Sequence, residues 1–506
     1  MPFTEKLNTN NKSIMVLGTS SGVGKSLTVI AICRILRNAG ETPVPFKGQN
    51  MSNNAWVDLE GGEMAHSQAI QAFASGMIPK SDMNPILLKP QGDSTSEVIH
   101  LGKSVGITSA RNYYQNWFKP GWEVIKKGID NIIKTNSDCR LIVEGAGSPV
   151  EMNLIHRDLT NLKIAKYLNS NCILVADIER GGVFAQIIGT LELLEPEERN
   201  LIKGIIINRF RGDITLFNEG KEWIENKTNI PILGILPSLN DIFPPEDSLD
   251  LLDRDTPSMY QELKIGIIKF PSISNFSDLD PLENEELIKL NWINDSLNLD
   301  DFDLIILPGS KQTIKDIYFL YETGLLKDIK EYSKKNGNIL GICGGLQMLG
   351  EILEDPYSKE GTLFNKKTSI KGIGLLPLKT IFFQTKITRR INCEATWPSS
   401  TKIEGFELHN GITEITKEEN INNIFKQNNL GWYIDKKEEG SIAGTYIHGI
   451  FENDQWRINY FNLIRNKRGI KKLDKINKPY KIKREAIINN LANQFQKNIN
   501  ISQLLN

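Results

Sequence analysis

The stretch SIMVLGTSSGVGKSLTVIAICRIL, residues 13–36, has the pattern of a strand, a glycine-rich loop and an amphipathic helix, in that order. Backbone N–H groups of such a loop and the positive end of the following helix hold phosphate groups. A lysine and a serine at the helix start suit the outer phosphates and Mg²⁺. We therefore predict a nucleotide-binding loop, although a threonine stands where the strict spacing places the first glycine. The residues predicted to bind ATP here are Gly18, Thr19, Gly22, Gly24, Lys25 and Ser26.

Polar side chains at the ends of later strands are candidates to complete this site, because the carboxyl ends of parallel strands meet at one edge of a sheet. Glu144 ends an apolar run and precedes a glycine turn, and carboxylate oxygens are ligands that Mg²⁺ prefers. We predict a Mg²⁺ site formed by Glu144 and Ser26. Asn208 in GIIINRFRG is predicted to contact adenine, with a buried strand-end amide as the alternative. Asp177 also ends a strand, and the turn at 180–182 suits an anionic ligand or is a plain turn.

Further β-branched runs, each followed by a glycine turn and a helical pattern, continue along the chain. This rhythm predicts an α/β protein with parallel strands and crossover helices. A Pro- and Asp-rich stretch near residue 250 interrupts it and predicts a domain boundary. We predict two domains, each a mainly parallel sheet flanked by helices, at 1–250 and 263–465, a linker at 251–262, and a basic helical tail at 466–506. The tail is expected to be solvated, with a docking patch for an anionic substrate as the alternative.

A second glycine-rich turn, GNILGICGGLQMLG at residues 337–350, places Cys343 between a strand and a helix. A thiol at a helix N-terminus is acidified, because the N–H groups and the helix dipole favour the thiolate. The flanking glycines, among them Gly344, allow a sharp turn whose N–H groups can form an oxyanion hole. Cys343 is therefore predicted to be a nucleophile.

A cysteine nucleophile needs a base. His448 follows the strand-like run SIAGTYI, so it can end a neighbouring strand at the same edge of the sheet. We predict His448 as the base, and His409 in GFELHNG is the competing candidate.

Composition restricts the classes of partner. The 506 residues include 60 Lys and Arg against 61 Asp and Glu, so no global basic field attracts nucleic acid or an anionic membrane. Small molecules are the expected partners. The polar start and the absence of long apolar runs predict a cytoplasmic protein. Five cysteines and five histidines form no CxxC pair and no metal-ligand cluster in the sequence, so we expect no structural zinc.

Ten ordered motifs resemble the cobyric acid synthase family, which has a class I glutamine amidotransferase domain. The resemblance covers nearly the whole chain, and the loop GTSSGVGKS is similar to the variant loop of dethiobiotin synthetases and their amidotransferase relatives. The other motifs are KGQNMSNNAWV, NPILLKPQGD, VEGAGSPVEMNL, DIERGGVFAQIIGT, INRFRGD, ISNFSDLDPL, LPGSKQT, GICGGLQMLG and YIHGIF.

The resemblance implies an ATP-dependent amidoligase in the first domain and a glutamine amidotransferase in the second. ATP with Mg²⁺ would activate carboxylates as acyl phosphates, and ammonia from glutamine would displace the phosphate. Cys343 would form a glutamyl thioester, with His448 as general base and later acid. Gly309 and Ser310, together with Gly344, would form the oxyanion and glutamine site. The implied substrate is adenosylcobyrinic acid a,c-diamide, amidated at its b, d, e and g carboxylates.

Two departures from the pattern affect the second site. Many class I amidotransferases have a glutamate two residues after the histidine, where this chain has Ile450. Glu452 lies four residues after the histidine, so the sequence supports a Cys–His dyad with no assured third member. Gln312 stands where relatives usually have asparagine, which leaves the backbone role of the LPGSKQT turn in place.

Three alternatives stay open from the sequence. The related cobyrinic acid a,c-diamide synthases share both domain types, but KGQNMSNNAWV and ISNFSDLDPL favour the cobyric acid enzyme. A ParA- or MinD-like ATPase switch would have a second lysine early in the loop, and GTSSGVGKS has none. A degenerate, regulatory amidotransferase would not need the intact cysteine and histidine. The polar stretch KGQNMSNNAW is predicted to contact the corrin, with a solvated loop as the alternative, and the oligomeric state is left open.

Overall fold

The computed structural model describes residues 13–91, 94–239, 262–283, 285, 287–360, 368–435, 440–474 and 478–501. The predicted linker therefore lies, apart from Glu262, outside the described residues.

The first part of the chain contains twelve strands and eight α-helices among its described residues. The strands are β1 Ile14–Gly18, β2 Pro43–Phe46, β3 Gln49–Met51, β4 Ala55–Val57, β5 Glu63–Ala65, β6 Ile86–Pro90, β7 Thr95–His100, β8 Lys103–Ser109, β9 Arg140–Glu144, β10 Asn171–Asp177, β11 Ile202–Phe210 and β12 Ile232–Pro237. The helices are α1 Lys25–Asn38, α2 His66–Ser75, α3 Ala110–Asn116, α4 Phe118–Thr135, α5 Leu162–Leu168, α6 Val183–Glu192, α7 Pro196–Arg199 and α8 Asn218–Thr228.

The second part contains twelve more strands and six α-helices among its described residues. The strands are β13 Leu263–Ile268, β14 Ile288–Ile293, β15 Leu304–Leu307, β16 Ile339–Ile342, β17 Ile352–Asp355, β18 Thr368–Lys371, β19 Leu378–Ala395, β20 Thr401–Ile415, β21 Asn422–Asn423, β22 Gly431–Asp435, β23 Ser441–Thr445 and β24 Ile447–His448. The helices are α9 Asp280–Glu283, α10 Thr313–Glu322, α11 Leu325–Lys334, α12 Gly344–Leu349, α13 Asp454–Lys467 and α14 Tyr480–Asn498.

The first domain is built on a six-stranded parallel sheet with the order β12-β11-β10-β1-β9-β2. Alternate residues of β1 enter different cores: Met15 and Leu17 lie in one cluster, whereas Ile14 and Val16 lie in the other. Successive side chains of a strand point to opposite faces, so a strand covered on both faces must be apolar throughout. This explains the continuous apolar runs in the sequence.

A smaller sheet with the order β3-β6-β7-β8 adds to the first domain and was not predicted. Strand β3 pairs with β6 in parallel, and the β7–β8 hairpin extends the sheet in the antiparallel sense. Strand β3 is only three residues long, too short to produce a recognisable alternation.

The second domain contains a seven-stranded sheet with the order β14-β13-β15-β16-β23-β22-β21. The strands from β14 to β23 are parallel, and the last two are antiparallel. A five-stranded sheet with the order β18-β17-β19-β20-β24 lies beside it, dominated by the long antiparallel pair β19–β20. The predicted class, α/β with two domains of mainly parallel sheets flanked by helices, is confirmed, with the β19–β20 sheet as an addition.

The C-terminal helix α14 crosses from the second domain to the first and packs on α1. Its buried residues join the apolar core behind the central sheet, and Arg34 of α1 donates to Glu485 and Asn489 at 2.8 Å each. After the helix, Asn500 N–H donates to Leu233 O at 2.8 Å, beside β12. The predicted helix is present, but it is not the solvated helix that we expected, because one of its faces is core. The buried residues of this face are Ile488, Leu491, Ala492 and Phe495.

Among the described residues, no helix combines the length and the apolar character that crossing a bilayer requires.

Candidate active sites

The predicted phosphate-binding loop connects β1 to α1 at the carboxyl edge of the parallel sheet. Gly18 ends β1, and Thr19 Oγ1 donates to Gln186 Oε1 at 3.1 Å. Gly22 and Gly24 have φ values of 73° and 102°, in the region that favours glycine. A Cβ on Gly24 would also lie 2.2 Å from the Asn208 amide nitrogen. Both backbone conformation and close approach therefore require glycine at position 24.

Lys25 is the first residue of α1, and its side chain bends back over the loop. Its Nζ donates to Ser20 O at 2.8 Å and to Gly147 O at 3.0 Å. The ammonium group therefore lies between the loop and the turn after β9. In this position it can balance charge on phosphates bound by the loop.

Glu144 ends β9, which pairs directly with β1, so its carboxylate reaches the start of α1. Ser26 Oγ donates to Glu144 Oε1 at 2.9 Å, and Lys47 Nζ donates to the same oxygen at 2.8 Å. The Gln71 amide donates to the other carboxylate oxygen. The structure thus brings together the two residues that we predicted as Mg²⁺ ligands.

A magnesium ion bound with nucleotide phosphates needs only one or two protein ligands, because phosphates and water fill its remaining positions. One hydroxyl and one carboxylate, from Ser26 and Glu144, fit that requirement. No group of three or more His, Cys, Asp or Glu side chains suited to a metal ion occurs in the part of the chain that the structure describes.

Two further predicted residues lie beside the loop. The Asn208 amide donates to Val23 O at 2.8 Å, and its oxygen accepts from Arg209 N at 2.9 Å. This side chain therefore supports the loop backbone here, and adenine contact stays a prediction. Asp177 accepts from the Arg209 guanidinium at 2.9 Å, and the turn at 180–182 after it is exposed.

The second glycine-rich turn places Cys343 between β16 and α12, as the sequence predicted. Cys343 has φ 51° and ψ −105° at the N-cap of α12, and its side chain is 6% exposed. Its N–H donates to Thr445 O at 2.8 Å, and the thiol contacts Leu408 O at 3.5 Å. A Cβ on Gly344 would lie 2.8 Å from Ser310 N, so the two turns approach closely because Gly344 lacks a side chain.

His448 lies next to Cys343 because β23 pairs with β16 and the chain then turns into β24. The imidazole is fully buried, and its Nδ1 is 2.7 Å from Asp278 Oδ2. The other oxygen of Asp278 accepts from Gly449 N at 2.7 Å. Phe406 stacks on the ring with centroids 5.2 Å apart. Cysteine, histidine and carboxylate therefore form a connected triad.

Electrostatics favour a protonated imidazole in this triad. Burial lowers the pKa of His448, but the Asp278 carboxylate and the Cys343 side chain outweigh burial and raise the pKa to about 10. Hydrogen bonds from both neighbours act in the same direction. A thiolate beside an imidazolium is the reactive form of a cysteine nucleophile.

The backbone turn of the LPGSKQT motif lies against this triad. A Cβ on Gly309 would lie 3.5 Å from the His448 ring, and Ser274 N donates to Gly309 O at 2.9 Å. Ser310 Oγ donates to Asp316 Oδ2 at 2.6 Å, and the Gln312 amide donates to Gln91 O of the first domain at 3.3 Å. The structure therefore brings Gly309, Ser310 and Gly344 together with Cys343.

His409, the other candidate base, and Glu452, the candidate third member, have different partners. His409 on β20 uses both ring nitrogens, at 3.1 Å from Gly411 O and 3.2 Å from Glu407 Oε1, and stacks on Tyr446. Glu452 lies 3.6 Å from Arg484 of α14, while Asp278 occupies the position beside His448 Nδ1.

Comparisons with known proteins agree on one family. Residues 14–248 match the CobQ/CobB/MinD/ParA nucleotide binding domain, and residues 264–456 match the CobB/CobQ-like glutamine amidotransferase domain. A cobyric acid synthase of Prochlorococcus marinus strain MIT 9515 is 69% identical over 510 residues, covering 100% of both chains. That of strain MIT 9312 is 68% identical over 509 residues, again covering 100% of both chains. The chain belongs to the cobyric acid synthase family.

Two solved structures are similar to parts of the chain. A glutamine amidotransferase structure is 12% identical and covers 41% of this chain and 99% of its own, with a TM-score of 0.30. The signal recognition particle receptor FtsY from Elizabethkingia anophelis is 14% identical and covers 46% and 60%, with a TM-score of 0.28.

Sequence reasoning missed Asp278, although the motif that contains it, ISNFSDLDPL, contributed to the family resemblance. Asp278 lies in a short 3-10 helix, Phe276–Leu279, 170 positions before His448. The available signal was an acidic residue among apolar residues of this motif. A charged residue is rarely buried without a partner, so a buried acid here would need one. Because many class I amidotransferases have a glutamate after the histidine, Glu452 was considered as the third member instead.

Replacing His448 by alanine is expected to lower glutamine-dependent turnover by about 10²–10⁴-fold, the usual contribution of a positioned proton acceptor. His409→Ala is the matched control, because it removes a buried imidazole whose two nitrogens have other partners. Steady-state glutamate release from glutamine measures both variants. A larger loss for His409→Ala than for His448→Ala would reverse the assignment of the base.

Proposed function

We propose that this enzyme converts adenosylcobyrinic acid a,c-diamide to adenosylcobyric acid in cobalamin biosynthesis. It would amidate the b, d, e and g carboxylates, using ATP and glutamine for each new amide. Membership of the cobyric acid synthase family supports this substrate, and the two sites described above supply the two half-reactions. Relatives that are 69% and 68% identical over the full chain are cobyric acid synthases, which favours this reaction over a,c-diamide synthesis.

The first domain would activate a carboxylate by phosphoryl transfer from ATP. The substrate carboxylate oxygen attacks the γ-phosphorus, ADP leaves, and an acyl phosphate forms. The loop N–H groups hold the phosphates, and Lys25 balances the charge on the transferring group. Ser26 and Glu144 would hold Mg²⁺, which neutralises phosphate charge when bound.

The second domain would release ammonia from glutamine. The Cys343 thiolate attacks the side-chain carboxamide carbon, and N–H groups of the Gly309–Ser310 turn and of Gly344 would stabilise the oxyanion. His448 transfers a proton to the departing nitrogen, so ammonia leaves and a glutamyl thioester remains. Water activated by His448 then hydrolyses the thioester to glutamate and restores the thiol. Ammonia displaces phosphate from the acyl phosphate and gives the primary amide.

A single observation carries the proposal: one chain holds both a buried Cys343–His448–Asp278 triad and a glycine-rich loop with Lys25 bent over it and Ser26 bound to Glu144. The phosphate-binding loop does not explain why the chain has a cysteine triad, and the triad does not explain the loop. An ATPase switch has no use for a cysteine nucleophile, and a glutaminase has no use for a phosphate-binding loop.

The test is a product analysis with purified enzyme, adenosylcobyrinic acid a,c-diamide, ATP, Mg²⁺ and glutamine. We expect four successive amide products, with ADP, phosphate and glutamate each formed in equal amounts to the amides. Cobyrinic acid with free a and c carboxylates is the comparison substrate. Amidation confined to the a and c positions of that substrate would contradict the proposal in favour of a,c-diamide synthesis. ATP hydrolysis without any amide product would contradict an amidoligase of either kind.

A further inference from the structure

A buried asparagine contacts Nε2 of His448, the ring nitrogen that does not face Asp278. Asn275 is 3% exposed and has φ 50°, and its amide nitrogen lies 3.1 Å from His448 Nε2. The Asn275 oxygen accepts from Ala55 N at 2.9 Å. A backbone N–H can only donate, so this contact fixes the oxygen toward Ala55 and directs the NH₂ group at His448.

The orientation of this amide selects one state of the imidazole. An N–H donor directed at Nε2 requires a lone pair there, which places the ring proton on Nδ1, facing Asp278. This is the tautomer in which Nε2 can accept a proton from the Cys343 thiol. Asn275 therefore favours the neutral ring and opposes the Asp278 carboxylate and the Cys343 side chain, which raise the pKa of His448.

The residues that hold Asn275 come from the first domain. Asn275 N donates to Asn53 O at 3.2 Å, and the side-chain oxygen of Asn54 accepts from Ser277 Oγ at 2.8 Å, next to Asp278. Trp56 packs on Phe406, with ring centroids 5.6 Å apart, on the residue that stacks on His448. Segment 53–56 belongs to the stretch predicted to contact the corrin, which stays a prediction, and it lies against the second domain.

We propose that Asn275 is a positioning residue for His448 and that segment 53–56 of the first domain holds Asn275, so the glutamine site is complete only with both domains in contact. This inference rests on the proposed role of His448 as the base. If the inference is correct, glutamine hydrolysis depends on contact with the first domain. This dependence requires no movement of Cys343.

Other charged groups around His448 have partners of their own. Glu407, next to Phe406 on β20, points to the opposite face of the strand and is bound by Arg389 and His409. The 3-10 helix after His448 carries Glu452, which lies beside Arg484. These pairs are unchanged by substitutions at Asn275, so a shift in the titration of His448 would report on the asparagine.

Two substitutions of Asn275 separate positioning from packing. Asn275→Asp preserves shape and the acceptor for Ala55 N–H but presents a carboxylate oxygen to Nε2. Asn275→Gly removes the amide and tolerates the positive φ. The matched control is Asn336→Gly, at an exposed residue with φ 65° in the turn after α11. Asn54→Ala removes the first-domain acceptor for Ser277.

We expect both Asn275 variants and Asn54→Ala to lower kcat for glutamine hydrolysis by about 10–100-fold, the cost of losing a partner that orients a reacting group. The KM for glutamine should change less than kcat. Amidation with ammonium salts by the two Asn275 variants should stay within about twofold of wild type, since the ATP site is untouched, and Asn336→Gly should match wild type in both assays.

The pH dependence gives a readout that packing alone would not change. A donor to the neutral imidazole disfavours the imidazolium, so its removal raises the pKa of His448, and a carboxylate in its place raises it further. The limb of the kcat/KM profile that belongs to His448 should therefore move to higher pH in Asn275→Gly and further in Asn275→Asp. The rate of Cys343 alkylation by iodoacetamide should rise in the same order, from wild type to Asn275→Gly to Asn275→Asp.

Alkylation near neutral pH reports on Cys343 because burial suppresses ionisation of the other thiols. Burial raises the pKa of Cys172 to about 12 and that of Cys393 to about 11. It also raises the pKa of Cys33 and Cys139 above the usual range.

Three results would overturn the inference. Full glutaminase activity with unshifted pH limbs in both Asn275 variants would show that the amide does not act on His448. Equal losses in the two variants without a pH shift would assign Asn275 to packing. Loss of ammonia-dependent amidation would place the function of the contact in the first domain. Failure of the wild-type enzyme to release glutamate from glutamine would instead contradict the proposed function, so the two failures are distinguishable.

Discussion

Cys343→Ala is expected to abolish glutamine-dependent amidation while ammonium salts at high concentration and mildly alkaline pH still support it. The variant lacks the sulfur that forms the glutamyl thioester, so no ammonia is released from glutamine. The first domain retains Lys25 and the Ser26–Glu144 pair, so acyl phosphate formation continues. Free ammonia, which the alkaline pH provides, then reacts directly. Amide product per ATP hydrolysed, with each nitrogen source, is the quantity to measure.

The loss cannot be attributed to unfolding. The substitution removes one atom from a small side chain, so the free energy of unfolding should fall by only about 1 kcal/mol, as for a typical point mutant. Cys393→Ala is the matched control, because it removes a partly buried thiol on β19 and should leave both nitrogen sources usable. Glutamine use by a folded Cys343→Ala enzyme, or loss of both nitrogen sources, would refute the division into two sites.

Lys25→Ala should abolish amidation with glutamine and with ammonia alike. Its ammonium group lies over the loop, bound to Ser20 O and Gly147 O, where it would meet the outer phosphates of ATP. Removing a cation that stabilises a transferring phosphoryl group costs on the order of 10³-fold or more in rate. Glutamine hydrolysis should persist in part, because the triad lies in the other domain. ADP formation and amide formation are measured together.

A second lysine of the same domain provides the control for Lys25. Lys203 lies near the start of β11, at the edge of the sheet opposite the loop, and its exposed ammonium donates to Asn200 O at 2.6 Å. Lys203→Ala should keep wild-type amidation. Near wild-type amidation by Lys25→Ala would mean that ATP binds elsewhere.

The sequence predicted the parts of each site that are local. Both glycine-rich turns join a strand directly to the helix that follows, so their residues are neighbours in the chain and their pattern is readable. Glu144 was also predicted, because it ends a strand that shares the edge of the sheet with the loop. The catalytic roles of all these residues stay predictions until the variants are measured.

What the sequence did not reveal depends on long-range packing. Asp278 reaches His448 from 170 positions away, and Asn275 is oriented by Ala55 from 220 positions away. No local pattern encodes such pairings. Asn208 illustrates the same point, since a strand-end amide looks equally suited to a ligand or to a neighbouring loop, and only the fold brings it to Val23.

The tail did carry a signal that its charge concealed. Its buried residues, Ile488, Leu491, Ala492 and Phe495, recur with the spacing i, i+3, i+4, i+7 of an amphipathic helix. The surrounding basic residues led to the prediction that this helix is solvated. The apolar stripe, not the charge, determines where the helix packs, because burial of apolar area dominates over exposed charge.

The contact between α1 and α14 also determines when the first domain can finish folding during translation. Arg34 and its partner Glu485 are separated by 451 positions, so the ribosome makes one side of this contact long before the other. At roughly 5–20 residues per second, the interval is about 20–90 s. Throughout that time the part of α1 that packs against α14 stays uncovered, and a nascent chain in this state is a substrate for chaperones. Helix α14 therefore completes the cover of the first domain late in translation, and a stop codon shortly before it would leave that cover incomplete.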